Sequence, residues 1–309
     1  MQPDATGIGL DRGRRCAKLV TPGKAAAARR HLFINFEMQA DFRMTRANQL
    51  AAATLAILAM LVGLSPPAHA ARCGSSAAGF EAWKSEFASE ARAKGIGASA
   101  VSALMGTNYA QATINADRGQ RSFGLSLDAF LAKRGASTIV ARGRALKHSQ
   151  AAMFASIQQR YGVPPGPLIA IWGMETGFGS QRGNQNMLSS IATLAYDCRR
   201  SEYFTEHLYA ALQLIDRGVL SAATRGSMHG EVGQTQFMPK NILAYGTGNL
   251  DNAANALSST ANFLKAHGWR AGAGYQPGEP NFAAIEAWNA AGVYQKAIAL
   301  MGRQIDGGE

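Results

Sequence analysis

The spacing of apolar residues constrains the fold of this 309-residue chain more than any other feature. After Cys73, apolar residues recur at helical intervals in nearly every segment, as in Phe80, Trp83 and Phe87. No alternating pattern typical of β-hairpins competes with them. The sequence therefore predicts an all-α fold. Helices are expected from Phe80 onward and at 98–105, 142–161, 167–175, 188–195, 201–217, 253–267 and 282–301.

An uncharged, largely apolar stretch covers residues 49–70 and ends in the letters SPPAHA. Arg43 and Arg46 precede it, its apolar core is shorter than the roughly 20 residues that span a bilayer, and a small-x-small sequence ends at Ala70. This pattern predicts a signal peptide over 44–70 that is cleaved after Ala70. A retained membrane anchor is the alternative, although two prolines interrupt the segment.

The region upstream of this stretch is unusually long for an export signal. We therefore expect the protein to start at Met44, and residues 1–43 to be an upstream extension outside the mature protein. The mature chain, 71–309, is then a single periplasmic domain with a helical N-terminal lobe. It retains 22 Lys and Arg against 16 Asp and Glu, an excess of +6. This excess suits work near an anionic polymer and is too small to indicate nucleic acid.

The chain contains three cysteines. Cys16 lies in the upstream extension, so an exported mature chain keeps the pair Cys73 and Cys198. An even pair in an oxidising compartment predicts a disulfide. Two buried free thiols are the alternative.

One carboxylate follows a continuous apolar segment. Residues 168–174 read LIAIWGM, and Glu175 comes next, followed by Thr-Gly-Phe-Gly. Burial raises the pKa of a carboxyl group because it disfavours the ionised form, so Glu175 could stay protonated and donate a proton near neutral pH. In the structural alternative, Glu175 ends its helix by turning into water.

A second cluster, 226–239, is rich in glycine and amides. Its glycines allow close approach of a ligand to the backbone, and Ser227, Gln234 and Gln236 offer neutral groups that can bind sugar hydroxyls and acetamides. The alternative is a tight turn followed by a helix that starts near Thr235.

Several motifs, taken in order, resemble the membrane-bound lytic transglycosylase B family. They are Glu-Thr-Gly-Phe-Gly at 175–179, Tyr-Phe at 203–204, Gly-x-x-Gly-x-x-Gln-Phe-Met-Pro at 230–239, Phe-Leu-Lys-Ala-His-Gly-Trp at 263–269, and Trp-Asn at 288–289 with Tyr294. The resemblance covers about 78–301. It implies a lysozyme-like catalytic core that cleaves the MurNAc–GlcNAc bond of peptidoglycan.

The resemblance also implies roles for individual residues. Glu175 would be the acid and the base, and Ser227, Gln236 and Asn289 would lie near the scissile sugar. The other expected substrate-binding residues are aromatic: Phe130, Phe263, Trp288 and Tyr294. Related enzymes often carry tyrosines where this chain has the first three of these, so stacking would remain while some hydroxyl contacts are lost.

No metal or cofactor is expected. Some family members bind calcium in an Asp-rich loop after the Gln-Phe-Met-Pro motif, but the corresponding stretch here, 244–251, is short and carries one carboxylate. A calcium ion needs six to eight oxygen ligands. The expected partners are peptidoglycan glycan strands, bound by a monomer.

A single well-placed carboxylate suits lytic transglycosylation, in which the C6 hydroxyl of MurNAc attacks in place of water and a 1,6-anhydro sugar forms. Two alternatives remain open. One is a lysozyme-like hydrolase in which Glu231 or Glu202 supplies the second carboxylate that most glycosidases need. The other is a catalytically silent scaffold that binds peptidoglycan.

Overall fold

The computed structural model describes residues 71–119 and 124–307. The predicted signal peptide and the upstream extension lie outside the described residues. In the described part, no helix has the length and apolar character needed to cross a membrane.

Helices dominate the described chain, as predicted. A 3₁₀ turn, Ala77–Gly79, precedes α1 (Phe80–Ala93), α2 (Ala98–Met105), α3 (Gln111–Arg118), α4 (Leu127–Arg134), α5 (Ala136–Ser149) and α6 (Ala151–Tyr161). There follow α7 (Pro165–Thr176), α8 (Met187–Tyr196), α9 (Ser201–Asp216), α10 (Pro239–Tyr245), α11 (Ala253–Ala266), α12 (Phe282–Trp288) and α13 (Gly292–Asp306). Two short strands, β1 (Gln185–Asn186) and β2 (Arg225–Gly226), pair antiparallel. They were not predicted, because two residues are too few to show an alternating pattern.

Some predicted helices are divided. The stretch 142–161 belongs to two helices that meet at Gln150, and 282–301 is interrupted at Asn289, whose backbone is extended. Neither break occurs at glycine or proline, so the sequence carried no local signal for it. The helix that the alternative interpretation of 226–239 placed near Thr235 begins instead at Pro239, where the missing N–H of proline costs no hydrogen bond.

The helix α7 lies at the centre of the domain. Its residues are almost all buried, which explains why its sequence is apolar on every side. It packs most extensively against α13 and also against α5. The two helices α7 and α13 approach closely at Gly166, where a Cβ atom would lie 2.2 Å from the carbonyl oxygen of Gly302.

A polar cluster fastens the start of α7 to the end of α13. The Asp306 carboxylate accepts hydrogen bonds from the Gly166 N–H and from the Tyr275 hydroxyl, both at 2.8 Å. Lys147 lies 3.6 Å from the same carboxylate. Asp306 thus satisfies a backbone donor at the helix N-terminus, where negative charge is favoured.

A disulfide joins the beginning of the described chain to its middle. Cys73 and Cys198 form the predicted bond, closing a separation of 125 residues. Backbone hydrogen bonds on either side, Gly74 N–H to Tyr196 O at 2.9 Å and Cys198 N–H to Gly74 O at 3.2 Å, hold the same two segments together.

Candidate active site

The Glu175 carboxyl group lies in the last turn of α7. The helix ends because Gly177 adopts a left-handed backbone, with φ of 56°, which glycine tolerates without strain. The apolar residues of α7 are buried in the core, so the Glu175 carboxyl group at the end of the helix lies at the edge of that core.

Two donors from distant parts of the chain converge on Glu175. The Tyr294 hydroxyl in α13 donates a hydrogen bond to Glu175 Oε1 at 2.5 Å, and the Trp288 indole N–H at the end of α12 donates to the same oxygen at 3.3 Å. Both residues were predicted to bind substrate. In the structure they hold one oxygen of the carboxyl group.

The surroundings of Glu175 raise its pKa to about 7, from an ordinary value of 4.5. Burial is the largest cause, and the nearby negative charge of Glu231 adds to it. The hydrogen bonds from Tyr294 and Trp288, and the positive charge of Arg134, oppose the increase. Glu175 can therefore exist in either protonation state near neutral pH, as a group that both donates and accepts a proton should.

An open groove of about 640 Å³ leads to Glu175. Four other predicted residues line it: Gln236, Phe263, Trp288 and Asn289. Its remaining polar wall consists of residues that we did not assign to the site from sequence: Arg200, Tyr203, Glu206, His207, Lys240, Asn241 and His267. Tyr203 and His267 fall inside the family motifs, so the motifs carried a signal for these two.

Glu231 also lines this groove. Glu202 does not. It lies in a separate depression beside the disulfide, together with Cys198 and Arg199. Of the two candidates for a second carboxylate, the structure therefore brings only Glu231 to the groove.

Aromatic rings form one side of the groove. Phe263 stacks on His267 with ring centroids 3.9 Å apart, and its ring meets that of Trp288 edge to face at 5.1 Å. Phe237 contacts Trp288 from another side, at 5.3 Å. Because Phe263 is buried by these neighbours, Trp288 is the more accessible of the two predicted stacking residues.

Phe130 occupies a different position from the one expected. It is 3% exposed and is not among the residues that line the groove. Its ring packs edge to face on Tyr294, with centroids 6.0 Å apart. Phe130 therefore packs against Tyr294, the residue that donates a hydrogen bond to Glu175, and does not face the groove.

Ser227 and Gln236 are engaged within the loop 226–238. The Ser227 hydroxyl donates to Glu231 Oε2 at 2.7 Å and accepts the N–H groups of His229 and Glu231 at 3.1 Å. Gln236 has a left-handed backbone, with φ of 53°, which is uncommon for a residue with a side chain. Its side-chain amide donates to Gly233 O at 2.8 Å. This strained position directly at the groove agrees with the tendency of such residues to occur at functional sites.

Gln234, expected to bind a sugar, instead connects the loop to α7. Its side-chain oxygen accepts the Trp172 indole N–H at 2.8 Å, and its backbone oxygen accepts the Thr176 hydroxyl at 2.6 Å. Asn289 similarly uses its side-chain oxygen to accept the Ala291 N–H, at 2.9 Å.

Within 71–119 and 124–307 the structure contains no group of three or more His, Cys, Asp or Glu side chains placed to hold a metal ion. The carboxylate in the stretch 244–251, Asp251, pairs with Arg182 at 2.8 Å.

An all-α domain with one carboxyl group of raised pKa at the base of an open groove is the arrangement of lysozyme-like enzymes that cleave glycans. The comparisons with known proteins specify the family. The transglycosylase SLT domain model matches residues 79–278, and the chain belongs to this family.

Similar proteins agree with this assignment. The membrane-bound lytic murein transglycosylase B of Escherichia coli (strain K12) is 37% identical over an alignment that covers 40% of this chain and 38% of that protein. The match thus spans well under half of this curated relative.

Solved structures share the fold. SltB3 from Pseudomonas aeruginosa, crystallised with NAG-anhNAM-pentapeptide, superposes with a TM-score of 0.68 at 28% identity, covering 74% of this chain and 80% of that one. The Escherichia coli lytic transglycosylase Slt35, in complex with bulgecin A, gives 0.64 at 22% identity, covering 79% and 98%. The predicted all-α class with a lysozyme-like core is confirmed.

Proposed function

We propose that this protein is an exported lytic murein transglycosylase that cleaves the MurNAc–GlcNAc bond of peptidoglycan and forms 1,6-anhydroMurNAc, with Glu175 as its catalytic acid and base. The observation that carries the proposal is the state of Glu175. Its pKa is raised to about 7, it lies at an open groove of about 640 Å³, and Tyr294 and Trp288 donate hydrogen bonds to it.

The chemistry follows from this one carboxyl group. Protonated Glu175 donates its proton to the glycosidic oxygen as the bond from C1 of MurNAc to that oxygen breaks. The MurNAc acetamide stabilises the positive charge that develops at C1. The C6 hydroxyl oxygen then bonds to C1 and gives its proton to ionised Glu175, which restores the starting state. No water is consumed, so no second carboxylate is required.

The nature of the relatives supports this substrate. SltB3, at 28–29% identity, has been crystallised with NAG-NAM-pentapeptide and with NAG-anhNAM-pentapeptide. The first ligand contains the two sugars of the glycan strand with a peptide, and the second carries the anhydro ring that would be formed. We assign the same class of ligand to the groove of this chain.

A lysozyme-like hydrolase is the second candidate, because Glu231 lies in the same groove as Glu175. In that mechanism Glu231 would act as nucleophile or as base for water. A silent peptidoglycan-binding scaffold is less well supported, since binding gains nothing from a buried carboxyl group with a raised pKa.

Product analysis separates the candidates. Purified protein, residues 71–309, is incubated with peptidoglycan sacculi, and the soluble products are examined by mass spectrometry. Anhydro products are lighter than hydrated ones by one water. We expect anhydro products from the wild type and none from Glu175→Gln, whose amide can neither donate nor accept the proton. Hydrated products would contradict the transglycosylase assignment, and no products at all would favour the scaffold.

Export to the periplasm is part of the same proposal, and it rests on residues 44–70. N-terminal sequencing of protein isolated from cells tests it. We expect the mature chain to begin at Ala71. A mature N-terminus well upstream of that residue would contradict the signal-peptide assignment.

A further inference from the structure

Ala71 is the residue that would begin the mature chain, and its backbone nitrogen already has a partner on the folded domain. The Ala71 N–H donates a hydrogen bond to Oε1 of Glu90, which lies in the second half of α1. Ala71 and Glu90 are both half-buried, and Ala71 packs against the hydrophobic core. The site at which export would cut the chain is therefore followed directly by a docked residue.

The segment that starts at Ala71 is held by contacts further along the chain. Cys73, two residues on, forms the disulfide with Cys198, and the Gly74 N–H donates to Tyr196 O at 2.9 Å. Both contacts lie downstream of Ala71, so cleavage after Ala70 leaves them intact. They keep the Ala71 nitrogen close to Glu90 whether or not the chain continues upstream.

The second oxygen of the Glu90 carboxylate has a partner from another helix. The Tyr209 hydroxyl in α9 donates to Glu90 Oε2 at 3.4 Å. The Tyr209 ring contacts Phe87 of α1, with centroids 4.9 Å apart, and the Lys94 ammonium lies 4.1 Å from the Tyr209 ring centroid. The carboxylate is thus oriented with one oxygen toward Tyr209 and the other toward Ala71.

The Glu90 carboxylate accepts hydrogen bonds but lacks a cationic side chain as partner. Within 71–119 and 124–307, no lysine, arginine or histidine forms an ion pair with it. In a chain that continues upstream, the Ala71 nitrogen is an uncharged amide. Hydrolysis of the bond between Ala70 and Ala71 by a signal peptidase consumes one water, leaves a carboxylate on Ala70 and leaves an ammonium group on Ala71. An ammonium donor forms a stronger hydrogen bond to a carboxylate than an amide does.

We propose that Glu90 is the binding site for the α-ammonium group that signal-peptide cleavage creates at Ala71, so that maturation adds an ion pair to the folded domain. This inference rests on the export part of the proposed function. The pair joins the mature N-terminus to α1 and, through Tyr209, to α9. A chain that keeps its signal sequence has the hydrogen bond without the ion pair.

The charged and titratable groups around the Ala71 nitrogen are Glu90 and Lys94 from α1 and its end, Tyr209 from α9, and the exposed neighbour Arg72. Ionised Glu90 favours the ammonium form, while Lys94 and Arg72 oppose it. Because Glu90 alone is in direct hydrogen-bond contact, the pKa of the Ala71 α-amino group should be raised. The stabilisation is then fully present below the ordinary pKa of such a group and is lost as the pH rises through the raised pKa.

Chemical labelling of the α-amino group tests the pair. Mature protein isolated from the periplasm is treated with acetic anhydride near neutral pH, and mass spectrometry of the N-terminal peptide measures acetylation at Ala71. Only the neutral amine reacts, so a raised pKa slows the reaction. We expect Ala71 in Glu90→Gln to react about threefold faster than in wild type, as for a partly exposed ion pair. The glutamine oxygen can still accept the Ala71 hydrogen bond, so the variant removes the charge and keeps the shape.

Glu86→Gln is the matched control, because Glu86 is an exposed carboxylate one turn earlier on α1. Its Ala71 should react at the wild-type rate. Urea unfolding gives a second measurement after a thermal melt has shown that each variant folds. Glu90→Gln should be less stable than wild type at neutral pH, and the difference should disappear at alkaline pH, where the α-amino group is neutral in both proteins.

N-terminal sequencing separates failure of this inference from failure of the proposed function. If the mature chain begins at Ala71 and the labelling rates of wild type and Glu90→Gln are equal, the ion pair is refuted while export stands. If the mature chain begins at another residue, the cleavage site and the ion pair are both refuted. The products formed from sacculi test the transglycosylase activity independently of either result.

Discussion

The substitution Glu175→Gln should abolish cleavage and, above neutral pH, make the protein more stable. The reason is that a folded-state pKa of about 7 exceeds the ordinary value of 4.5, so the folded protein holds this proton more tightly than the unfolded chain does. The resulting stabilisation is fully present below about pH 4.5 and is lost as the pH rises through 7. A glutamine at this position does not titrate.

The magnitude follows from the difference in pKa. Each unit corresponds to about 1.4 kcal/mol, so the increase from 4.5 to about 7 amounts to about 3 kcal/mol. Relative to wild type, the free energy of unfolding of Glu175→Gln should therefore rise by about this amount between roughly pH 4 and pH 8. Water in the groove would reduce the figure, so it is an upper value.

Urea unfolding at a series of pH values measures this difference. Glu202→Gln, outside the groove, is the matched control and should run parallel to wild type. For each protein, the free energy of unfolding is plotted against pH. If the plots for Glu175→Gln and wild type are parallel across this range, Glu175 has an ordinary pKa and the argument from burial is refuted. A Glu175→Gln protein that still degrades sacculi at a substantial rate would remove its assignment as the catalytic acid and base, since such groups contribute on the order of 10²- to 10⁴-fold.

Three other predictions address the surroundings of the site. Tyr294→Phe removes a hydrogen bond that favours ionised Glu175, so the alkaline decline of activity should move to higher pH; a pH profile checks this, and movement to lower pH would contradict it. Chelators should change neither activity nor melting temperature, because the stretch 244–251 offers too few oxygen ligands, whereas a melting temperature raised by calcium would overturn this. Reducing the disulfide of Cys73 and Cys198 should lower stability by about 4 to 5 kcal/mol in the chain-entropy account, as measured by denaturant unfolding; two freely alkylated thiols in protein from the periplasm would show that the bond does not form there.

Periodicity and motif order were sufficient to predict the class of fold and the placement of Glu175 at the end of a buried helix. These features are local or nearly so, because an apolar run followed by Glu-Thr-Gly specifies a buried helix and its end together. The helix ends at Thr176, one residue beyond the expected position.

The uses of individual polar and aromatic side chains were harder to predict. The glycine-rich surroundings of Gln234 predict a residue that binds sugar. In the structure its side chain accepts a hydrogen bond from the Trp172 indole, 62 residues away in the sequence. The family resemblance predicts that Phe130 stacks on the substrate, but the packing of α4 on α13 buries it behind Tyr294. Such assignments depend on which helices meet, and pattern within one segment carries no information about that.

The bond between Tyr294 and Glu175 also has a consequence for synthesis of the protein. The two residues are 119 positions apart, and the helix that carries the tyrosine is joined to the start of α7 through Asp306. A nascent chain that has been synthesised as far as Glu175 thus contains the carboxyl group. It still lacks Tyr294 and Trp288, which donate hydrogen bonds to that group, and α13, against which α7 packs. A contact of such long sequence separation cannot form before both segments have been made, and closing the loop between them costs entropy. An enzyme assembled in this order would stay inactive until nearly all of the described chain had been made.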